Sequence, residues 1–384
     1  MRPIRWTSRS THHNPHDRTE VGPGMHKWML AVLCLTAFAG CMEEDAPDEP
    51  TVTDPVVPVY DLSPEDLEAV GLKVDGVSLV ASVKAFGEGF PQRKGNHADH
   101  VASRDFLADE FAAMGYEVWR QEFTNGIDQE NICGLHWGID PTRWVVVGGH
   151  YDMTTTGSSH DGFSQGMYDD ASGTMMTVEM ARAWADVPSD VTIAFCAFDG
   201  EERGLQGSGA IADALSEGSV EINGQTHNVT IAGMLDLDMF GLNWPGVEAP
   251  IFFDDNSPEL QAFVDGYADA LGLPEDMLEF RGISLGRSDY AHFFGLGVPT
   301  GFYISDFEEW QLPADVPATL PPVDGLPAGG AYPFWHVVDT WDTMVLMAGS
   351  QEDVESGFQM AVDLAMGTLA FLADGDIEKT AVVR

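Results

Sequence analysis

Three nearly unbroken apolar runs constrain this chain most: "RWVVVGGHYD", "DVTIAFCAF" and "VTIAGMLDLDMFG". Each has the length and β-branched content of one strand, with little polar alternation to mark a solvated face. A strand that is apolar on both sides must be covered on both. Segments with helical spacing, "GTMMTVEMARAWA" and "SGAIADALSEG", stand between the runs to do so. Buried strands alternating with helices specify a largely parallel sheet. The expected fold is α/β: a three-layer α/β/α sandwich around a mixed, largely parallel central sheet.

The flanking segments extend this pattern. "SPEDLEAVG" opens with Ser63 as a helix cap, and "HADHVASRDFLADEFAAMG" is a helix closed by Gly115. "YEVWRQEF", "ENICGLHWG" and "VPTGFYI" are strand-like. "SPELQAFVDGYADALG", "DYAHFFGLG" and the closing "SQEDVESGFQMAVDLAMGTLAFLADG" are helical. Residues 306–332 are rich in Pro and Gly and too long for an ordinary connector, which marks a surface insertion.

At the N-terminus, "MHKWMLAVLCLTAFAGC" has a short positive start and an apolar stretch too short to span a bilayer stably. Its end resembles a bacterial lipobox, which implies cleavage and lipidation at Cys41. The acidic, Pro-rich residues 42–60 form a tether. The expected organisation is a leader and lipoprotein-type signal over 1–41, the tether, and one domain over 61–384. This predicts an exported protein, lipid-anchored to the bacterial cell envelope. Cys133 and Cys196 both lie in apolar strands, where a disulfide and two buried thiols are both open.

Charge excludes some functions. The 384 residues carry 62 Asp and Glu against 18 Lys and Arg, a formal net charge of -44. Such a chain has no basic face for nucleic acid or anionic lipid, so any membrane contact falls to the Cys41 anchor. Salt would screen its self-repulsion.

The chemistry collects where the apolar runs end. His150 and Asp152, two apart, leave one face of an extended strand together. Asp169 and Asp170 precede a helix, Glu201 and Glu202 follow the second run, and Asp236 and Asp238 close the third. "FWHVVDTWDT" adds His336, Asp339 and Asp342. Sites in open α/β sheets form at such carboxyl ends. Imidazole and carboxylate without thiolate suit catalytic zinc with a position left for water. Several acids with two histidines suit two metals roughly 3.5–4 Å apart that share a bridging acid. Neighbouring side chains diverge along an extended segment, so one of the two glutamates can bind metal while the other faces the water as a general base. His160 and His292 are expected at the surface or in supporting positions, and Asp170 as a helix N-cap.

"HYD", "YDDASG", "FDGEERGLQGS", "LDLDMFG", "SDYAHFFGLGVP" and "WHVVDT", taken in order, resemble the motifs of the co-catalytic zinc aminopeptidases of clan MH. That group is related to glutamate carboxypeptidase II and glutaminyl cyclase. The likeness runs from about residue 75 to the C-terminus. It implies two zinc ions per chain and a peptide substrate. His150 and Asp238 would hold one ion, Glu202 and His336 the other, and Asp169 would bridge them. Glu201 would be the general base, and Asp152 would orient His150. The match at "DMFG" favours Asp238 over Asp236. Three positions depart from the family pattern: Tyr290 follows Ser288-Asp289 where His is common, Asp339 lies one residue closer to His336, and Asp170 stands where Asn is frequent. The resemblance implies an exported exopeptidase of aminopeptidase type. A glutaminyl cyclase-like acyltransferase and a non-catalytic binding lipoprotein are the alternatives.

Overall fold

The computed structural model describes residues 62–154, 164–241, 251–274, 277–280, 288–305 and 339–373. All of them belong to the unit that runs from Pro55 to Arg384. The leader with Cys41, the tether, His160, the 306–332 insertion and His336 lie outside the described residues.

The chain first forms the helices α1 (Pro64–Ala69), α2 (Gly76–Gly89) and α3 (Ala98–Ala113). The strands β1 (Glu117–Thr124), β2 (Asp128–His136) and β3 (Asp140–His150) follow, then α4 (Ser172–Trp184), β4 (Val191–Phe198) and α5 (Gln206–Ser216). A hairpin of β5 (Ser219–Ile222) and β6 (Gln225–Asn228) precedes β7 (Thr230–Leu237), β8 (Ile251–Asp255) and α6 (Pro258–Leu271). The remaining elements are β9 (Leu278–Phe280), α7 (Tyr290–Leu296), β10 (Thr300–Ser305), α8 (Trp341–Ala348) and α9 (Gln351–Ala373).

Eight strands make one sheet in the order β1-β2-β4-β3-β7-β10-β8-β9. Its centre, β4-β3-β7-β10, is parallel throughout. Antiparallel pairings of β2 with β4 and of β8 with β10 make the whole sheet mixed. Alternation along the central strands divides the interior in two. Val145, Val147, Ile193, Phe195, Leu235 and Leu237 face the helical layer that contains α2, α3, α4, α6 and α9. Trp144, Val146, Ala194, Cys196, Phe198 and Met234 face α5, α7 and the β5–β6 hairpin. This is the three-layer α/β/α sandwich expected from strands that are apolar on both sides.

The sequence pattern did not reveal α2. Two of its glycines serve packing. A Cβ at Gly76 would lie 2.9 Å from the Glu355 carbonyl oxygen, and one at Gly87 would lie 2.7 Å from Met167 Cε. Glycine lets α2 approach α9 and the loop that leads to Asp169. Helix α9 is long and apolar enough to cross a bilayer, but 72% of its apolar window is buried, which makes it a core helix. Cys133 and Cys196 are direct cross-strand partners on β2 and β4 and form a disulfide. The open question about these thiols closes in favour of the bond.

Candidate active site

The order β4-β3-β7 brings three strand ends together. His150 ends β3, residues 199–202 follow β4, and Asp238 follows β7. Strand β3 is flanked by β4 on one side and β7 on the other, which opens a crevice at their carboxyl ends. Small residues keep it tight. A Cβ on Gly173, in the first turn of α4, would collide with the Leu237 carbonyl, so glycine lets α4 start directly against the exit of β7.

His150 is the hub. It is buried, and its Nε2 lies 3.1 Å from Asp169 Oδ1, 3.7 Å from Asp238 Oδ1 and 4.0 Å from Glu201 Oε2. Its Nδ1 faces Asp152, 3.1 Å from the main-chain carbonyl oxygen and 3.4 Å from Oδ1. Asp152 Oδ1 also accepts the Glu201 amide at 3.1 Å, so one side chain sets both the imidazole and the start of the glutamate turn. Burial works against protonation of His150. Asp152, Asp169, Glu201 and Asp238 outweigh it and hold the imidazole well above its ordinary pKa.

Asp170 differs from Asp169 although the two are adjacent. Its Oδ1 accepts from the Gly173 amide at 2.7 Å, the Ser172 hydroxyl at 3.0 Å and the Met239 amide at 3.2 Å. Its Oδ2 accepts the His150 amide at 3.2 Å. This carboxylate caps α4 and ties the ends of β3 and β7 to it. By distance, His150, Asp170 and Asp238 each offer one ligand atom within 4.8 Å of the others. The four donors on Asp170 nevertheless suit it to hold loops, and leave Asp169 as the acid aimed at His150 Nε2.

Glu201 and Glu202 do not lie on an extended segment. Glu201–Arg203 form a single 3-10 turn between two left-handed glycines, Gly200 (φ 74°) and Gly204 (φ 100°). Successive side chains on such a turn diverge by about 120°. The pair separates as expected, but the turn is the cause. Glu201 points to His150, while Glu202 Oε1 accepts the Thr154 amide at 3.2 Å. A Cβ at Gly200 would collide with the Gln129 side chain. The Arg203-Gly204 stretch closes the turn, and Leu205 (φ 57°) hands it to α5.

Behind Asp238 stand further acids that the sequence motifs named only in passing. Ser288 Oγ donates to Asp238 Oδ2 at 2.9 Å, and the Tyr290 amide donates to Asp236 Oδ2 at 2.9 Å. Asp236 and Asp289 are fully buried. Among the described residues, neither oxygen of Asp289, nor Oδ1 of Asp236, accepts a well-formed hydrogen bond. Burial pushes Asp289 up to about 7, against the pull of His150 and the Ser208 hydroxyl. Burial also lifts Glu201 well above the carboxylate range, with Asp289, Asp238 and Glu202 adding to the rise and His150 opposing it. Asp339, at the start of the closing segment, reaches about 7 through burial despite accepting two loop amides. Only the "SD" motif signalled Asp289, and nothing in the sequence pattern signalled the buried Arg93 described below.

This much negative charge around one imidazole, with buried carboxylate oxygens short of well-formed donors, fits a divalent cation held by nitrogen and oxygen ligands. His150, Asp169 and Asp238 are the described residues placed to hold it. His292 is exposed on α7.

The family model for peptidase family M28 matches residues 131–344, more than half of the chain. The chain belongs to peptidase family M28. Among curated relatives of this M28 chain, leupeptin-inactivating enzyme 1 of Streptomyces exfoliatus is 27% identical over 275 residues, 71% of this chain and 57% of the relative. The M28 chain thus spans little more than half of that relative. Among solved structures, BSAP, a zinc aminopeptidase from Bacillus subtilis, matches at TM-score 0.58 and 15% identity, covering 78% of this chain and 95% of that one. Fimbriiglobus ruber glutaminyl cyclase matches at TM-score 0.56 and 19% identity, covering 84% of this chain and 100% of that one. At those identities the two structures share the fold of the M28 chain.

Proposed function

We propose that this M28 chain is an exported zinc-dependent exopeptidase that removes N-terminal residues from peptides. One observation carries the reading: His150 Nε2 faces the carboxylates of Asp169, Asp238 and Glu201 within 4.0 Å at the carboxyl ends of adjacent strands. His150 and Asp238 would hold one zinc and Glu202 and His336 a second, with Asp169 shared between the two. Zinc, when bound, supplies Lewis acidity that polarises the scissile carbonyl and makes water easier to deprotonate. Glu201 takes the proton from the attacking water and returns it to the leaving amine. Its burial beside other acids raises its proton affinity, which suits both steps, although a bound dication would draw that affinity partly back. Asp152 keeps His150 and the Glu201 amide in register, and Asp170 keeps the strand ends together.

Membership of peptidase family M28 and likeness to relatives named probable zinc metalloprotease and aminopeptidase support the metal and the bond cleaved. The Cys133–Cys196 disulfide supports export, because such bonds persist in oxidising compartments. Lipid attachment at Cys41 completes the proposal for location. Metal analysis and a peptide-library digest test the whole reading. Two zincs per chain and trimming from free N-termini are expected. One zinc with N-terminal cyclisation of glutamine would point to the glutaminyl cyclase reading, and no zinc to a binding protein. Loss of acyl labelling in Cys41→Ala tests the anchor.

A further inference from the structure

Behind the carboxylates lies a buried cation that the chemistry above leaves unused. Arg93, between α2 and α3, is fully enclosed, and its guanidinium sits over the Phe86 ring at 4.9 Å. Nε donates to the Tyr151 carbonyl at 2.7 Å, and Nη1 to the carbonyls of Phe90 at 3.1 Å and Gln165 at 2.8 Å. Nη2 donates to the Gly166 carbonyl at 2.7 Å. Tyr151 lies between His150 and Asp152, while Gln165 and Gly166 lead into Asp169. A Cβ at Gly166 (φ 53°) would lie 2.8 Å from Nη2, so glycine admits the guanidinium.

The same loop is also held by an anion. The Asp339 carboxylate accepts the Tyr168 amide at 2.9 and 3.1 Å and the Asp169 amide at 2.9 Å. The Asp339 carbonyl accepts the Gln165 amide at 2.6 Å. A cation takes the loop's carbonyls and an anion takes its amides.

We propose that Arg93 is a positioning residue that pins the loop presenting Asp169 to the end of β3 that presents His150 and holds both ready for the metal. The proposal rests on the zinc reading for its purpose, but the clamp exists without the ion. Enclosing a guanidinium is costly unless its donors are satisfied. Burial lowers the Arg93 pKa to about 10, while Asp339, Asp170, Asp152 and Asp169 oppose the fall, so it stays charged at neutral pH. Its charge repels a metal cation. If charge were its whole effect, Arg93 would weaken the site, so its contribution must come from geometry. A planar fork of donors reaches two loops at once, which a lysine ammonium does not.

Arg93→Lys keeps the charge and removes the fork. Hydrogen exchange on metal-free protein reads the clamp directly. The segment 164–171 should exchange at least about ten-fold faster in Arg93→Lys, while β3 and β4 keep wild-type protection. Zinc affinity, read by competition with a chromogenic chelator, should fall about 10–100-fold. Wild-type exchange in that segment, or wild-type zinc affinity, would overturn the proposal. Asp339→Asn attacks the clamp from the other side and should speed the same amides, so the test holds even where Arg93→Lys does not fold. Absence of zinc uptake by the wild type would sink the functional reading, and the exchange result would then decide the clamp alone.

Discussion

Strand β3 begins and ends in opposite surroundings. At its start, Trp144 is buried edge-on against Trp119 and Trp137, with ring centroids 6.4 and 5.6 Å away. Its indole Nε1 donates to the Pro141 carbonyl at 2.9 Å, and Trp137 Nε1 donates to Glu117 at 3.1 Å. Apolar area is hidden there and the indole donors are used. At its end, His150 is surrounded by Asp152, Asp169, Asp238 and Glu201, with Asp236 and Asp289 buried behind them. Burial there raises the cost of every negative charge. One end of the strand stabilises the fold by itself, while the other is held in a costly arrangement that a cation would relieve.

The largest effect that would break this comparison is catalytic. Glu201→Gln should lower peptide turnover about 10²–10⁴-fold while leaving zinc content and the melting temperature near wild type. Unchanged turnover would remove Glu201 from the chemistry. Next, at the other end, Trp144→Ala should cost about 3–5 kcal/mol in denaturant unfolding without altering zinc affinity in the folded fraction. A matching loss of zinc affinity would mean that the two ends are not separable.

A smaller effect concerns pH. Asp289 and Asp339 titrate near 7 in the fold, against an ordinary carboxylate value of 3.8. Between those values these two sites bind more protons in the folded protein than in the unfolded chain, so their contribution to stability falls as pH rises and levels off above about 7. Metal-free protein should therefore lose stability from pH 5 to pH 7, on the order of 1 kcal/mol per pH unit for each group. Saturating zinc should flatten that slope, and melting curves across the range check both statements. The smallest effect lies away from both ends. Lys73 and Glu68 form an exposed pair at 3.2 Å, and Lys73→Ala should change stability by under about 1 kcal/mol.

Much of this was legible in the sequence. Unbroken runs such as "VTIAFCAF" dictated a doubly covered sheet, because a strand apolar on both faces has no solvated alternative. The position of His, Asp and Glu at the ends of those runs located the crevice. The divergence of Glu201 and Glu202 was anticipated but assigned to extended backbone, because a one-turn 3-10 segment leaves no periodic trace. Helix α2 stayed hidden because its glycines answer to packing against α9 and Met167 rather than to helix propensity. Both cysteines read as core residues, and only the register of β2 against β4 brought their sulfurs together.

By itself, then, the sequence determined the layered α/β architecture, the end of the sheet that carries the chemistry, and the residue types gathered there. These follow from local pattern and from the rule that apolar faces must be covered. Tertiary structure decided the division of labour among like residues. Asp169 and Asp170 are neighbours of identical chemistry, yet one faces His150 and the other is saturated by four donors from three segments. Nothing in the sequence pattern marked Arg93, and the fold encloses it among main-chain carbonyls on both sides of the active-site loop. Burial and donor supply are set by segments distant in the chain, and those quantities decide whether a charged side chain binds, catalyses or merely holds the fold in place.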